Sequence, residues 1–281
     1  MKWIPIIIIL VSQVTGPQVQ TGAGTVLFLL YSPTLLTVAA DSRLTMLGGE
    51  HKDTECKISA FGNKFIFTMA GVVFTNGDKR NPHLISRKIW EVESRKESSA
   101  PALVLDVANK WASKMEETFA DPALMAKTRK ITGGEALATA DFAATDRSGK
   151  MALASAEMHF DGPLLDRSGQ LHFIHEVKLL TARRWYSAGR DDIVKEYMRR
   201  TSPRSQQFIA KLGPELSGLP PDESDARLAR ELIESSIALS VNKNDLAAPV
   251  DVVQLRPTLG VKWISLKPNC EQRWPSHGNQ N

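Results

Sequence analysis

The chain has 281 residues, of which 42% are hydrophobic and 23% are charged, a composition typical of a globular protein with a buried core. Its formal net charge is +4 and its sequence pI is about 9.0, but the lysines and arginines are scattered rather than clustered. Nucleic-acid binding proteins concentrate their basic residues on one face, so we expect no nucleic-acid partner.

The first 24 residues differ in composition from the rest of the chain. Met1–Trp3 supplies one positive charge, Ile4–Val11 is almost wholly aliphatic, and Ser12–Gly24 is small and polar. This order is typical of a secretory signal peptide, and the aliphatic run is far shorter than the roughly 20 residues that span a membrane. We therefore expect residues 1–24 to be a signal peptide, a propeptide or both, with export to a periplasm or secretion. The alternative is a strand-forming propeptide of a cytoplasmic protein, and we expect no stable membrane span elsewhere.

Residues 24–70 contain four apolar runs that predict short strands. Ser32-Pro33-Thr34 separates the first two runs and Gly62-Asn63 separates the last two, and both segments are typical of tight turns. We expect the four strands to form the front half of one sheet. The runs are residues 24–31, 35–40, 56–60 and 64–70.

Helical and strand patterns then alternate to the end of the chain. Asn81-Pro82 opens the first helical stretch, and Pro101 lies at the first turn of the second, where proline is common. The segment Asp146–Gly149 separates two apolar runs and predicts a hairpin. The predicted elements are helices at 82–97 and 101–120, strands at 136–145, 151–159, 171–174 and 183–187, helices at 191–200 and 222–241, and strands at 249–255 and 260–266.

This order of strands, two helices, strands, two helices and strands predicts the α+β class. A four-layer αββα sandwich accommodates it, with two antiparallel sheets face to face and a helix pair on each outer side. No internal repeat or linker interrupts the chain, so we expect one domain over residues 25–266. Residues 267–281 are expected to form a polar C-terminal tail, loose from Cys270 onward.

Neither of the two cysteines, Cys56 and Cys270, has a neighbouring Cys or His at zinc-binding spacing. A single bridge between them is open in an oxidising compartment, but we expect two free thiols. The pair Gly133-Gly134 lacks the lysine and the Ser or Thr of a phosphate-binding loop. We therefore expect no metal and no cofactor.

Four motifs lie between residues 24 and 71: Gly24-Thr25, Ala39-Ala40-Asp41-Ser42-Arg43, Lys57 and Thr68-Met69-Ala70-Gly71. The intervals between Thr25, Asp41, Lys57 and Gly71 equal those between nucleophile, aspartate, lysine and oxyanion-hole glycine in catalytic proteasome β subunits, without a gap. The stretch therefore resembles the N-terminal half of that family, whose members are N-terminal-nucleophile (Ntn) hydrolases of αββα architecture. After Gly71 the resemblance is only topological.

The resemblance implies a catalytic role for each of these four residues. Thr25 would become the N-terminus through cleavage of the Gly24–Thr25 bond and would act as the nucleophile. Its own α-amine, with an unperturbed pKa of about 7.7–8.0, would serve as the base that an internal threonine lacks. Lys57 would stabilise the threonine alkoxide, and Asp41 would hold Lys57 in place. The backbone N–H of Gly71 would donate to the oxyanion.

Three further residues match positions at which the family binds its substrate. Thr45 and Val73 correspond to residues that pair with the substrate backbone. Met69 corresponds to a floor residue of the first specificity pocket, which implies an apolar side chain before the scissile bond. The implied function is a threonine-type hydrolase that acts on peptides or unfolded protein. The implied assembly is a ring-like homo-oligomer.

The chain departs from the family pattern in two windows. Active subunits carry Gly-Ser-Gly and Asp-x-x-Ser-Gly-Gly, which supply residues that support the nucleophile. The corresponding windows here are Tyr186–Gly189 and Asn242–Ala248, so Ser187 or Asp245 would have to take over after a small shift of register. Two alternatives therefore stay open: a catalytically weak or inactive assembly subunit, and an exported amidase that acts on a small amide.

Two routes would expose Thr25. Signal peptidase could cut after Gly24, or it could cut earlier, near Gly16, and leave Thr25 to attack the carbonyl that precedes it. The stretch from Val11 to Gly24 is long for the last region of a signal peptide. Self-cleavage is therefore the expected route.

Overall fold

The structure, a computed structural model, describes residues 21–23, 25–46, 50–53, 55–74, 81–96, 98–120, 137–160, 173–181, 185–200, 202–240, 246–268 and 270. Over these residues the chain has the predicted α+β class, with five helices and antiparallel sheets. The helices are α1 (Pro82–Glu93), α2 (Ala100–Phe119), α3 (Asp192–Arg199), α4 (Pro203–Ser217) and α5 (Pro221–Leu239). The strands are β1 (Thr21–Ala23), β2 (Val26–Tyr31), β3 (Leu36–Ala40), β4 (Leu44–Met46), β5 (His51–Lys52), β6 (Ile58–Phe61), β7 (Phe65–Gly71), β8 (Val73–Phe74), β9 (Ala138–Thr145), β10 (Met151–Phe160), β11 (Phe173–Leu180), β12 (Tyr186–Gly189), β13 (Asp251–Arg256) and β14 (Gly260–Ser265).

The described strands form three sheets. Sheet I has the order β12-β2-β3-β13-β14, sheet II the order β11-β10-β9-β7-β6, and the small sheet the order β5-β4-β1-β8. The expectation that the first four predicted strands share one sheet is wrong, because β2 and β3 belong to sheet I whereas β6 and β7 belong to sheet II. A local apolar pattern defines a strand but not its partner, and here β3 pairs with β13 and β7 with β9.

Sheets I and II share a buried apolar layer. Leu27, Leu29 and Val38 of sheet I lie in one cluster with Ile66 and Leu153 of sheet II. Side chains alternate between the two faces of a strand, so neighbouring residues of β2 must point away from this layer. The inner faces of the two sheets therefore form a single core.

The outer face of sheet I is covered by α3 and α5. Val26 and Phe28 of β2 lie in a second cluster with Val194 of α3 and Leu232 of α5. Strand β2 is thus buried on both faces, which explains why its sequence is an uninterrupted apolar run rather than an alternating one.

The outer face of sheet II packs against α1 and α2. The ring of Trp111 in α2 lies 5.7 Å from the ring of Phe67 and 5.5 Å from that of Phe142, measured between centroids. Aromatic rings at such distances contribute beyond the area that they bury. Helix α1 begins as predicted, since the Asn81 side chain accepts hydrogen bonds from the first backbone N–H groups.

Helix α4 was not predicted. Gly213-Pro214 interrupts its apolar pattern, and Phe208 of this helix stacks on Tyr197 of α3. The available signal was Ser202-Pro203, a capping residue followed by a proline at the first turn. The strand predicted at 171–174 also differs, because β11 extends from Phe173 to Leu180. The hairpin at Asp146–Gly149 is confirmed and joins β9 to β10.

The prediction of two free thiols is wrong, because Cys56 and Cys270 form a disulfide. Cys270 is buried, so the expectation of a loose tail also fails at this residue. The two cysteines are 214 residues apart, and no spacing rule relates cysteines at such a separation.

Residues 271–281 and, apart from 21–23, the expected leader at 1–24 lie outside the described residues. None of the described helices combines the length and the hydropathy needed to cross a bilayer.

Candidate active site

Thr25 lies between β1 and β2 with 2% of its surface exposed. Lys57, which immediately precedes β6, is equally buried, and its Nζ donates a hydrogen bond to Thr25 Oγ1. The carbonyl oxygen of Thr25 accepts a 2.7 Å hydrogen bond from the backbone N–H of Arg190, just after β12. Elements of both large sheets therefore meet at Thr25.

Asp41 follows β3 and is completely buried. Its Oδ1 accepts a hydrogen bond from the N–H of Val26, and its Oδ2 accepts one from the N–H of Arg43, both at 3.0 Å. Two backbone donors fix the orientation of the carboxylate. The Nζ of Lys57 lies 3.7 Å from Asp41 Oδ1, so the two side chains form an ion pair beside Thr25.

The Lys57 ammonium is held from several directions. Besides Thr25 Oγ1 and the Asp41 carboxylate, its Nζ contacts the carbonyl oxygen of Arg43 at 2.6 Å. An ammonium has three donor hydrogens and no acceptor, so oxygen atoms on three sides fix its position. The Arg43 side chain is itself held by a bidentate ion pair with Asp53, with both N–O distances at 2.6 Å.

Burial changes the proton affinity of both charged groups. It raises the pKa of Asp41, an effect that Lys57, the N–H groups of Val26 and Arg43, and Lys267 all oppose. Burial also lowers the pKa of Lys57, and the charge of Asp41 opposes that fall. A lowered pKa raises the fraction of Lys57 that is neutral, and only the neutral amine can accept the proton of a neighbouring hydroxyl. The nitrogen of Thr25 is part of a peptide bond in the intact chain, and Lys57 is a basic group that contacts the Thr25 hydroxyl.

Two glycines with positive φ lie at the ends of β7 and β12. A Cβ on Gly189 would lie 1.9 Å from the Thr25 carbonyl oxygen and 3.2 Å from the Cβ of Ala70. A Cβ on Gly71 would lie 2.4 Å from the carbonyl oxygen of Leu137. Both close contacts are with backbone atoms, so any side chain would displace the main chain. Position 189 therefore requires a glycine, which the sequence alone did not indicate.

Strand β1 lies between β4 and β8, immediately before the predicted cleavage point. Ala23 is the register partner of Thr45 in β4, and Gly22 is the register partner of Val73 in β8. Both residues predicted to pair with a substrate backbone therefore pair with β1, which lies in the expected leader and is called the leader strand below. Met69 differs, because it is buried in the apolar cluster between sheet II and helices α1 and α2. Its role as a pocket floor stays a prediction.

A second buried ion pair lies behind Asp41 and was not predicted. Lys267 Nζ is 2.8 Å from Asp251 Oδ2, and both side chains are buried. The same Nζ donates to the carbonyl oxygen of Glu55 at 2.6 Å and contacts that of Asp41 at 3.4 Å. A single lysine after a strand is usually solvated, so the sequence signal was weak. It consisted of one carboxylate, Asp251, in an apolar run.

The two windows that depart from the family pattern differ in their placement. The hydroxyl of Ser187 donates to Asp191 Oδ2 at 2.7 Å, so this side chain is directed to α3 rather than to Thr25. Asp245 lies outside the described residues. The carbonyl oxygen of Ala247 accepts hydrogen bonds from the N–H and the hydroxyl of Ser42, at 3.0 and 2.9 Å. The end of the second window is therefore attached beside Asp41.

No group of three or more His, Cys, Asp or Glu side chains that could hold a metal ion occurs in the part of the chain that the structure describes. No protein-family model matches the chain, and no curated protein matches it. The functional assignment therefore depends on the geometry and chemistry of the site itself.

Proposed function

We propose that this chain is a threonine-type N-terminal-nucleophile hydrolase that cleaves peptide or amide bonds with Thr25 as its nucleophile. The observation that carries the proposal is the hydrogen bond from Lys57 Nζ to Thr25 Oγ1, in a buried site that also contains Asp41. Burying charged groups beside a hydroxyl is unfavourable for folding, and such groups concentrate at functional sites. No cofactor is needed for this chemistry.

The packing of the chain supports the architectural part of the proposal. Two antiparallel sheets share one apolar layer, and helices pack on both outer faces. A four-layer αββα sandwich of the Ntn type has this arrangement. It would form one domain over residues 25–266, with the nucleophile at the start of a strand of sheet I.

Self-cleavage would proceed in three steps. The hydroxyl oxygen of Thr25 attacks the carbonyl carbon of Gly24 while its proton passes to the Lys57 amine. The C–N bond between the two residues then breaks, the nitrogen of Thr25 takes up a proton, and an ester joins Gly24 to Thr25 Oγ1. Water hydrolyses the ester, which releases the segment that ends at Gly24 and leaves Thr25 with a free hydroxyl and a free α-amine.

Turnover would use the same oxygen with a different base. The new α-amine accepts the hydroxyl proton as Thr25 attacks the scissile carbonyl, and Lys57 stabilises the developing charge. The N–H of Gly71 is the proposed donor to the oxyanion, a contribution typically worth about 2.7–4 kcal/mol. The proton then passes to the leaving amine, and water releases the acyl group from Thr25.

The leader strand supports a peptide substrate. Strand β1 is bonded on one side to β4 and on the other to β8, so its departure would leave two strand edges free to pair with another backbone. Thr45 and Val73 lie on these edges. We infer that a peptide or an unfolded chain binds there in extended conformation, which a folded domain could not do.

One observation favours an alternative function. Ser187, one of the two residues that would have to support Thr25, donates its hydroxyl to Asp191 instead. A weak or inactive assembly subunit would tolerate this loss. The ion pair of Lys57 and Asp41 at Thr25 favours catalysis over that alternative, because an assembly role does not need it.

Location and assembly are part of the proposal. The Cys56–Cys270 disulfide supports export, since disulfides form and persist in oxidising compartments. An exported hydrolase would act without an ATP-driven unfolding partner, which fits peptides or already unfolded chains as substrates. The homo-oligomeric ring stays a prediction from the resemblance.

The N-terminus of the purified protein tests the proposal directly. We expect intact-mass analysis to find a mature form that begins at Thr25, together with hydrolysis of short fluorogenic peptides. A folded protein that retains Gly24 and hydrolyses no peptide would contradict the assignment and favour the inactive assembly subunit.

Replacing Gly189 by alanine is expected to lower activity at least about tenfold, because its Cβ would displace the Thr25 backbone. A Gly149→Ala variant is the matched control. Gly149 also has a positive φ, of 75° against 82° at Gly189, but its nearest atom to a new Cβ is 3.9 Å away. The left-handed backbone should cost each variant about 1–2 kcal/mol of stability. Gly189→Ala should lose more, because its Cβ also meets the Thr25 backbone, and Gly149→Ala should keep full activity. Equal turnover of the two folded variants, measured on one peptide, would contradict the proposed contact.

A further inference from the structure

The C-terminal end of the described chain is attached to the site by two separate bonds. Lys267 forms the buried ion pair with Asp251 and donates to the carbonyl oxygen of Glu55. Three residues later, Cys270 is bonded to Cys56, and its N–H donates to the carbonyl oxygen of Lys267 at 3.2 Å. We call Lys267 and Cys270 the C-terminal anchor.

The anchor fixes the backbone immediately before Lys57. Glu55 and Cys56 are the two residues that precede it, and the anchor bonds to the carbonyl oxygen of the first and the side chain of the second. The Lys267 ammonium also contacts the carbonyl oxygen of Asp41. The same cation therefore contacts the backbone of Asp41 and the backbone two residues before Lys57.

The anchor also completes a set of four buried charges. Lys57 pairs with Asp41 and Lys267 pairs with Asp251, with each side chain at most 3% exposed. The set is neutral as a whole, so removal of one member would leave an unpaired buried charge. Burial lowers the pKa of Lys57, Asp41 opposes this, and the charge of Lys267 adds to the lowering. Lys267 thus acts on both the position and the protonation of Lys57.

We propose that Lys267 is a positioning residue for the reaction, which acts through Asp41 and the backbone of Glu55 to keep Lys57 at the Thr25 hydroxyl. The Cys56–Cys270 disulfide holds Lys267 in place. This inference rests on the proposed function, since it assigns the anchor a part in the same reaction. Moving a reacting group by about 1 Å can cost on the order of 100-fold in rate, which sets the size of the expected effect.

The test replaces the ion pair as a unit, with Lys267→Met and Asp251→Asn together, so that no unpaired charge is buried. Peptide hydrolysis is measured per mature N-terminus, counted by intact mass. We expect kcat to fall roughly 10- to 100-fold while KM changes less than about twofold. The alkaline limb of the pH–rate profile should move to higher pH, because Lys57 loses the charge of Lys267, which lowers its pKa, while Asp41 and Glu55, which raise it, remain. A merely structural role would not move that limb.

The matched control is Arg256→Met with Asp222→Asn. This ion pair, at 2.6 Å, joins the other end of β13 to α5. The control should keep the wild-type kcat and pH profile. A folded Lys267→Met/Asp251→Asn protein with the same kcat and the same alkaline limb as wild type overturns the positioning role.

Reduction of the disulfide tests the second half of the proposal. Wild-type protein is treated with a thiol reductant at a temperature at which circular dichroism shows it to be folded. We expect kcat to fall and to recover on reoxidation, whereas a Cys56→Ser/Cys270→Ser variant should have a low kcat that the reductant does not change. Full kcat in the reduced, folded protein overturns the role of the disulfide.

The outcomes separate this inference from the function on which it rests. A wild-type protein that neither matures nor hydrolyses peptides contradicts the proposed function. An active wild type whose anchor variants behave like the control contradicts only the role of the anchor.

Discussion

Replacing Thr25 by alanine will abolish both peptide hydrolysis and self-cleavage while the protein stays folded. The change removes the hydroxyl that Lys57 Nζ contacts, and without it there is no oxygen to form the acyl intermediate. We expect a loss of at least about three orders of magnitude in kcat/KM on fluorogenic peptides. Intact mass should show residues before Thr25 still attached. The thermal midpoint should change by only a few degrees, because about 1 kcal/mol is typical for such a substitution.

A Thr25→Ser variant is the control for this experiment. It keeps the hydroxyl and loses only a methyl group, so it should mature and retain measurable turnover. Hydrolysis by Thr25→Ala at the wild-type rate would exclude Thr25 as the nucleophile. Hydrolysis by neither wild type nor Thr25→Ser would instead favour the inactive assembly subunit.

Replacing Lys57 by arginine should abolish the proposed hydrolysis although the charge is kept. Guanidinium is planar, wider than an ammonium and permanently protonated, so it cannot fit between Thr25, Arg43 and Asp41 or accept a proton. We expect kcat to fall at least about 100-fold. Because Asp41 still faces a cation, the fold should be less affected than in Lys57→Ala, which leaves a buried carboxylate unpaired. Near-normal turnover by Lys57→Arg would show that Lys57 has only a structural role.

The same variants identify the route by which Thr25 becomes N-terminal. If Thr25 cleaves its own chain, exported Lys57→Ala and Lys57→Arg proteins should begin upstream of Thr25 in N-terminal sequencing. Lys64→Arg, in the exposed turn before β7, is the control and should begin at Thr25. A Lys57→Ala protein that begins at Thr25 would show that signal peptidase makes the cut. That result would remove self-cleavage from the proposal and leave the nucleophile assignment untouched.

Thr25, Asp41 and Lys57 were predicted as a group because their intervals match those of the family that the stretch resembles, and the structure places them in contact. Lys267 and Asp251 were not predicted, and the reason is physical. Lys267 contacts Glu55 and Asp41, which lie more than 200 residues before it, and only the closed fold makes a lysine at that position buried. Asp251 in turn is paired with Lys267. The neighbours of Lys267 in sequence are typical of a solvated tail.

The fold shows the same division between local and long-range information. The elements with strong periodicity, such as α2 and the β9–β10 hairpin, were predictable, because an apolar stripe and a turn segment are local properties. The division of β2–β3 and β6–β7 between two sheets was not, since pairing is decided by strands β9 and β13. The Cys56–Cys270 disulfide was not predictable either, because it too depends on long-range contacts.

The pairing of β1 would set the time course of activation in the proposed enzyme. Since β1 is bonded to β4 and to β8, cutting the Gly24–Thr25 bond would not in itself empty the space between them. The severed segment would stay paired until both ladders open, so bond cleavage and vacancy of the cleft would be two successive first-order events. In the proposed enzyme, turnover would therefore begin after a delay that follows the appearance of the new N-terminus, and the length of that delay would not depend on protein concentration.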